Sequence, residues 1–336
     1  MINKKTKFCK AAALLGAAVM MISALAGCGK NTKVVLTAGL KKNEVFRISS
    51  ASCVLPEVMV YLTNMQNQYE SVYGSQIWNA SDGQLSLEQE EREQVLTQLA
   101  RIKVMNLLAL KKEVTLDDKE KERAAAAGRE YFTSLNSAEV TALNVTQDLI
   151  TKMYEEYALA EKVYQTIVEN VNPEVSDDEA RTITVDMIRV SDSAKASQVL
   201  GKAKEEGVDF ETLAQAESED QTVTQSFGKG EVSEALEKAA FNLGKDEISD
   251  VVESDGSYYI LKCISTFDEA QTKANKEKIV KQRQSEAFDT EYTAFEQTLV
   301  RQLNEELWNS VTMIHQDDVK TSSFFEVYQM YFQHQE

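Results

Sequence analysis

The hydrophobic period of this chain changes twice, and that constrains its fold more than any other feature. Between residues 45 and 172, apolar residues recur at spacings of three and four. One stripe holds Val58, Tyr61, Leu62, Met65 and Tyr69, a second Val95, Leu99, Ile102, Met105 and Ala109, and a third Leu149, Met153, Ala160, Val163, Ile167 and Val171. Stripes of this kind are helix faces that must bury against something. After Asn172-Pro173 the period drops to two: Ile183, Val185 and Met187 alternate with Thr184, Asp186 and Ile188, which predicts a strand over Thr182–Val190. Helices are expected from Ser193, around Leu213 and across Leu236–Phe241. A hairpin of Val251–Glu253 and Tyr258–Ile264 should follow, turning at Asp255-Gly256. The helical period then returns with Phe288, Tyr292, Phe295, Leu299 and Leu303, extended by Leu307-Trp308. The expected class is α+β: a mainly helical lobe made jointly by the N- and C-terminal segments, with a small α/β module inserted between them.

Local signals refine this outline. Val45–Ile48 reads as a short strand, and Ser49, Ser50 and Ser52 are expected to lead into the first helix. Gly74–Gly83 is a polar break, and Lys111-Lys112 carry the charge a helix C-terminus prefers. Thr115-x-x-Asp118 resembles a capping box before a helix containing Ala124–Ala127, another helix starts near Thr146, and Ser176-Asp-Asp-Glu179 offers a further cap. The aromatic end, with Phe324, Phe325, Tyr328, Tyr331 and Phe332, is expected to pack onto the N-terminal helices. The alternative is an exposed patch for polypeptide or membrane surface.

The first 28 residues say where such a chain resides. Lys4, Lys5, Lys7 and Lys10 precede the apolar run Ala11–Ala26, which is short for a membrane span and ends on Leu25-Ala26-Gly27-Cys28. Small residues before a cysteine at the end of such a run form the pattern of a bacterial lipobox. Residues 1–27 are then a lipoprotein signal peptide, and 28–44 a tether lipidated on Cys28 at the extracytoplasmic face of a cell membrane. Buried lipid contributes about 0.8 kcal/mol per methylene, so several chains anchor firmly without a spanning helix. An ordinary signal peptide is the plainer alternative.

Composition excludes several chemistries. The chain has 336 residues with 36 basic against 54 acidic, a net charge of −18. Without the four lysines before residue 28 the balance is 32 against 54, or −22. So acidic a surface argues against nucleic acid as a partner. The two histidines, His315 and His334, stand in the last 22 residues, so a zinc site or His-based triad in the body is not expected, nor any metal or cofactor. Cys9 leaves with the signal peptide. Cys53 and Cys263 lie among apolar residues and read as free buried thiols, a long-range disulfide being the alternative.

The middle module carries ordered motifs. Asp209-Phe210-Glu211-Thr212-Leu213-Ala214 is similar to the Asp-Phe-x-x-Leu-Ala of parvulin-type peptidyl-prolyl isomerases, and Ser218-Glu219-Asp220 to the Ser-x-Asp that follows it. Phe227-Gly228-Lys229-Gly230, Ala239-Ala240-Phe241-Asn242-Leu243 and Glu247-Ile248-Ser249-Asp250 then come in the family's order. The match covers about a quarter of the chain. With the lipobox and flanking helices, the chain resembles the extracytoplasmic foldase lipoproteins of the PrsA and SurA type. That resemblance implies a chaperone lobe over 45–178 and 269–336, a parvulin-like domain over 179–268, and unfolded or partly folded exported polypeptides as partners. A homodimer is a further possibility.

The resemblance also places a pocket, and there this chain departs from the family. Parvulins surround the prolyl bond with two histidines, a Cys or Asp, and a Met–Phe floor. The histidine positions here are Met187 and Tyr259, the Met–Phe pair is Val232 and Leu236, Asp220 is retained, and Phe227 stands in its motif. The loop between Asp220 and Phe227 is shorter than the family's. No catalytic residue is assigned. The resemblance therefore implies a foldase whose isomerase activity is weak or lost, with an active isomerase as the alternative. A solute-binding lipoprotein lacks its repeated βαβ units here, a structural scaffold has no positive signal, and a hydrolase has no nucleophile–base pair.

Overall fold

The computed structural model describes residues 39–80 and 86–332. The signal peptide, most of the tether, Cys9, the lipidation candidate Cys28 and His334 lie outside them. The chain divides into two compact units, one drawn from Met1–Asn170 and Ser285–Glu336, the other from Val171–Gln284.

The first unit is mainly helical. Strands β1 (Glu44–Ile48) and β2 (Ala51–Val54) form a hairpin, and helices α1 (Leu55–Tyr73), α2 (Leu87–Lys111), α3 (Asp118–Ser134), α4 (Ser137–Leu143) and α5 (Gln147–Val168) follow. The C-terminal part returns as strand β7 (Arg301–Leu303) and helices α11 (Glu305–Asn309) and α12 (Phe324–Phe332). The sheet order β2-β1-β7 explains why the ends share one unit: Phe46 pairs with Leu303 and Ile48 with Arg301. The aromatic end packs inward. Phe324 is buried, stacks on Tyr154 with ring centres 4.5 Å apart, and meets Tyr131 edge-on at 5.2 Å.

Charge is also buried in this unit. The Lys103 ammonium, its side chain 2% exposed, donates to Glu57 at 2.7 Å and Glu156 at 2.6 Å. Glu57 also accepts from the Val54 backbone N–H at 2.7 Å, capping α1. Burial opposes the Lys103 charge, but the two carboxylates outweigh it and hold its pKa above the ordinary value. Among the described residues Glu91 has no such partner, and burial pushes its pKa up to about 7.

The second unit is a four-stranded antiparallel sheet of order β4-β3-β6-β5. It comprises α6 (Asp177–Ala180), β3 (Thr182–Val190), α7 (Ser193–Ala203), α8 (Phe210–Glu217), β4 (Thr224–Gly228), α9 (Glu234–Phe241), β5 (Val252–Ser254) and β6 (Ser257–Ser265). Helix α10 (Glu269–Glu296) continues from this unit into the first. Because side chains alternate along a strand, β3 divides its apolar residues between two layers. Ile188 and Val190 pack with α7 and α8, while Ile183, Val185 and Met187 pack with α9. Asp255 and Gly256, at φ of 50° and 73°, make the β5–β6 turn where the sequence predicts it.

The α+β class is the one expected, while several local readings change. Ser49, Ser50 and Ser52 do precede the first helix, but through a hairpin: Ser49 takes a left-handed φ of 50° and turns β1 into β2. The cap of α3 is Asp117 with Glu120, two residues beyond the Thr115–Asp118 box, and each side chain bonds the other's backbone N–H. The helical stripe through Leu299 and Leu303 ends early, since α10 stops at Glu296 and Leu303 is in β7. Strand β4 and helix α4 were not anticipated. Cys53 and Cys263 are free and buried, and burial raises both thiol pKa values.

Candidate functional site

The motif residues of the second unit have plain structural duties. Asp209 caps α8, accepting from the Thr212 N–H at 2.7 Å, while Phe210 and Ala214 fill the layer behind the sheet. Ser218 accepts from the backbone N–H groups of Arg189 and Asp220, at 3.1 and 3.2 Å, which fixes the loop after α8 against β3. Ser233 caps α9, and its hydroxyl accepts from Ser254 at 2.7 Å, joining that helix to β5.

On the other sheet face these elements build one apolar floor. Met187, Phe227, Leu236 and Leu261 are buried together, with Val232 and Tyr259 half-buried against them. Met187 stands opposite Leu261, and Tyr259 lies two residues along the same strand. Met187 and Tyr259 are thus diagonal neighbours on one face. Five of the six candidate residues come together here: Met187, Phe227, Val232, Leu236 and Tyr259.

Asp220 is not in that cluster. Its carboxylate accepts from Arg189 Nε at 2.7 Å, and Arg189 also lies 3.7 Å from the Glu219 carboxylate and 3.5 Å from Ser257 Oγ. Two residues beyond Met187 on β3, Arg189 projects to the same face and stands opposite Tyr259. The Asp220 hydrogen bond, with the charges of Asp220 and Glu219, holds the guanidinium pKa above its ordinary value despite some desolvation. Sequence reasoning missed Arg189. The signal was available: an odd-numbered strand position in step with Met187, and the acidic pair Glu219-Asp220 with no assigned counter-ion.

The chemistry open to this face follows from its groups. Rotation about a prolyl bond is opposed by about 18–20 kcal/mol of lost resonance, and lowering it needs no nucleophile. An apolar floor can seat a proline ring and exclude water from the twisted imide. Among the described residues no imidazole lies on this floor, and the Asp220 carboxylate is engaged by Arg189.

Residues 169–278 match the family model of the PPIC-type PPIASE domain. Over 165 residues the chain is 31% identical to the foldase protein PrsA of Streptococcus pneumoniae strain Hungary19A-6, covering 44% of this chain and 53% of that protein. The chain thus spans about half the length of the curated relatives it matches. Among solved structures, a PrsA foldase of Streptococcus pneumoniae Canada MDR_19A aligns at 23% identity and a TM-score of 0.29, covering 73% of this chain and 92% of that one. PrsA of Bacillus cereus aligns at 19% identity and a TM-score of 0.37, covering 72% and 91%. Residues 169–278 are thus similar to the PPIC-type PPIASE domain, and the chain that carries them is similar to PrsA foldases.

Proposed function

We propose that this chain is a foldase that holds unfolded or partly folded exported polypeptides, tethered by lipid on Cys28 to the extracytoplasmic face of a cell membrane. Its parvulin-like domain has weak or no isomerase activity. The observation that carries the reading is the sheet face itself. It keeps a floor of Met187, Phe227, Leu236 and Leu261 that suits a proline ring or apolar segment, while Arg189 engages Asp220 beside it. Met187 and Tyr259 stand where the family has its two histidines. The acidic balance of −22 from residue 28 onward suits a holder of polypeptides that must stay soluble when loaded.

A second reading, an active isomerase, draws on the family match over 169–278 and on the same floor, because the barrier yields to twisting and desolvation alone. The holding function is tested by adding the full chain to an unfolded polypeptide and following light scattering. Suppressed aggregation is expected, and undiminished aggregation would refute it. The anchor is tested separately: Cys28→Ala should move the protein from the membrane fraction to the soluble one. Continued membrane retention would contradict lipidation at Cys28.

A further inference from the structure

In the helical unit, one segment of main chain is read almost wholly by side chains. Residues Val311–Ser323 form neither helix nor strand. Among the described residues this strap has one internal backbone hydrogen bond, from Val319 N–H to Gln316 O at 3.1 Å. Three consecutive amides of α1 reach its backbone instead. Gln66 bonds Ile314 in both directions, donating to its carbonyl at 2.9 Å and accepting from its N–H at 3.1 Å. Asn67 donates to the carbonyls of Val319 and Thr321, at 3.3 and 2.8 Å, and Gln68 to that of Ser322 at 2.9 Å. From the other side, Glu139 accepts from Lys320 N–H and Asn136 donates to the Asp318 carbonyl, at 2.9 and 2.8 Å.

Buried amides are costly unless bonded, and Gln66 and Asn67 are both buried. Their partners in the strap are mostly atoms that every polypeptide has. Of the strap's own side chains, Thr312, His315–Asp318 and Lys320 are exposed, while Val311, Met313, Val319 and Thr321 are buried. Main-chain bonds with side-chain pockets at alternate positions are how extended peptides are bound with tolerance for sequence.

We propose that Gln66, Asn67 and Gln68, with Asn136 and Glu139, form a polypeptide-binding groove that the strap occupies in cis. An extended segment of an unfolded polypeptide, with small β-branched residues at alternate positions, takes the strap's place. This occupant rests on the holding function proposed above. The exchange replaces one set of main-chain hydrogen bonds with another, so its net cost is small beside the number of bonds involved. Trp308 and Phe324, both buried, tether the strap at its two ends, so it competes as an intramolecular ligand and recloses when the polypeptide leaves.

The test locks the strap. In the full chain, Glu70→Cys and His315→Cys, at positions whose side chains lie 3.8 Å apart and which are not among the groove residues, are introduced together and joined by a short bis-maleimide; each single variant receives the same reagent as a control. Two probes are used: a fluorescent synthetic peptide of residues 311–323, and reduced carboxymethylated α-lactalbumin. The uncrosslinked double variant should bind the peptide and hold the unfolded protein, and the crosslinked form should lose peptide binding at least tenfold and hold the unfolded protein less well. Equal holding by both forms would overturn the groove while leaving the holding function intact. No holding by either form would refute the holding function. Failure of the uncrosslinked form to bind the peptide would overturn the groove on its own.

Discussion

The helical unit carries charge in its interior, whereas the sheet unit keeps its ion pairs at the rim. Lys103 lies sealed between Glu57 and Glu156, and Glu91 is 1% exposed with Oε1 unpartnered among the described residues. In the sheet unit, the pairs Lys229–Asp178, Lys276–Asp177 and Arg189–Asp220 all retain solvent contact; the buried carboxylate Asp186 has no ion pair among the described residues and accepts from the Thr224 hydroxyl at 2.6 Å beside the two apolar layers about β3. The difference follows from chain topology. The sheet unit is one continuous stretch whose sheet and helices are close in sequence. The helical unit must bring residues near 46 and 303 into one sheet, and its long-range polar bonds, such as Asn64 Oδ1 to Phe324 N–H at 3.0 Å, specify that union.

Both tryptophans, Trp78 and Trp308, are buried in the helical unit, so tryptophan fluorescence reads that unit alone. The largest effect should come from Lys103→Met, which leaves two carboxylates without their cation. Removing one partner of a buried ion network costs about 3–5 kcal/mol. Denaturant unfolding followed by tryptophan fluorescence should show that loss, while amide exchange in β3 and β6 stays as before; equal loosening of those strands would break the contrast.

Leu261→Ala is the converse. It empties part of the floor beneath the candidate site and should lower the stability of the sheet unit by about 2–5 kcal/mol. Faster exchange in β3 with an unchanged tryptophan transition is the expected outcome. A shifted tryptophan transition would mean that the units do not unfold separately.

Glu91→Gln sharpens the comparison through pH. Burial raises the folded-state pKa from 4.5 to about 7, so between those values the folded chain binds more protons than the unfolded one. The wild type therefore loses stability as pH rises through this window, and above it the charged carboxylate costs about 3 kcal/mol. The variant should gain about that much at pH 8 and little at pH 4. An equal gain at both would assign the effect to packing rather than ionisation.

How far all this was legible in the sequence depended on the range of the interactions. The β5–β6 turn at Asp255-Gly256 and the cap at Ser176 are local, and sequence signals located them. The spacing of four between Leu299 and Leu303 mimics a helix face, yet Leu303 pairs with Phe46 across the sheet, and that long-range pairing overrides the local period. Ser49 hid a hairpin because serine rarely adopts a left-handed φ. At the candidate site, motif order and period two brought Met187, Phe227, Val232, Leu236 and Tyr259 to one face. The Arg189–Asp220 pair escaped because no spacing rule links a strand residue to a loop 31 positions later.

The central claim is a floor that holds polypeptide but does little to hasten prolyl isomerisation. Uncatalysed isomerisation takes tens to hundreds of seconds at 25 °C, slow enough to follow directly. The decisive measurement is a proline-limited refolding reaction with the full chain at micromolar concentration. An unchanged slow phase, together with suppressed aggregation of an unfolded polypeptide in a parallel assay, is the predicted result; a clear acceleration of that phase would contradict it.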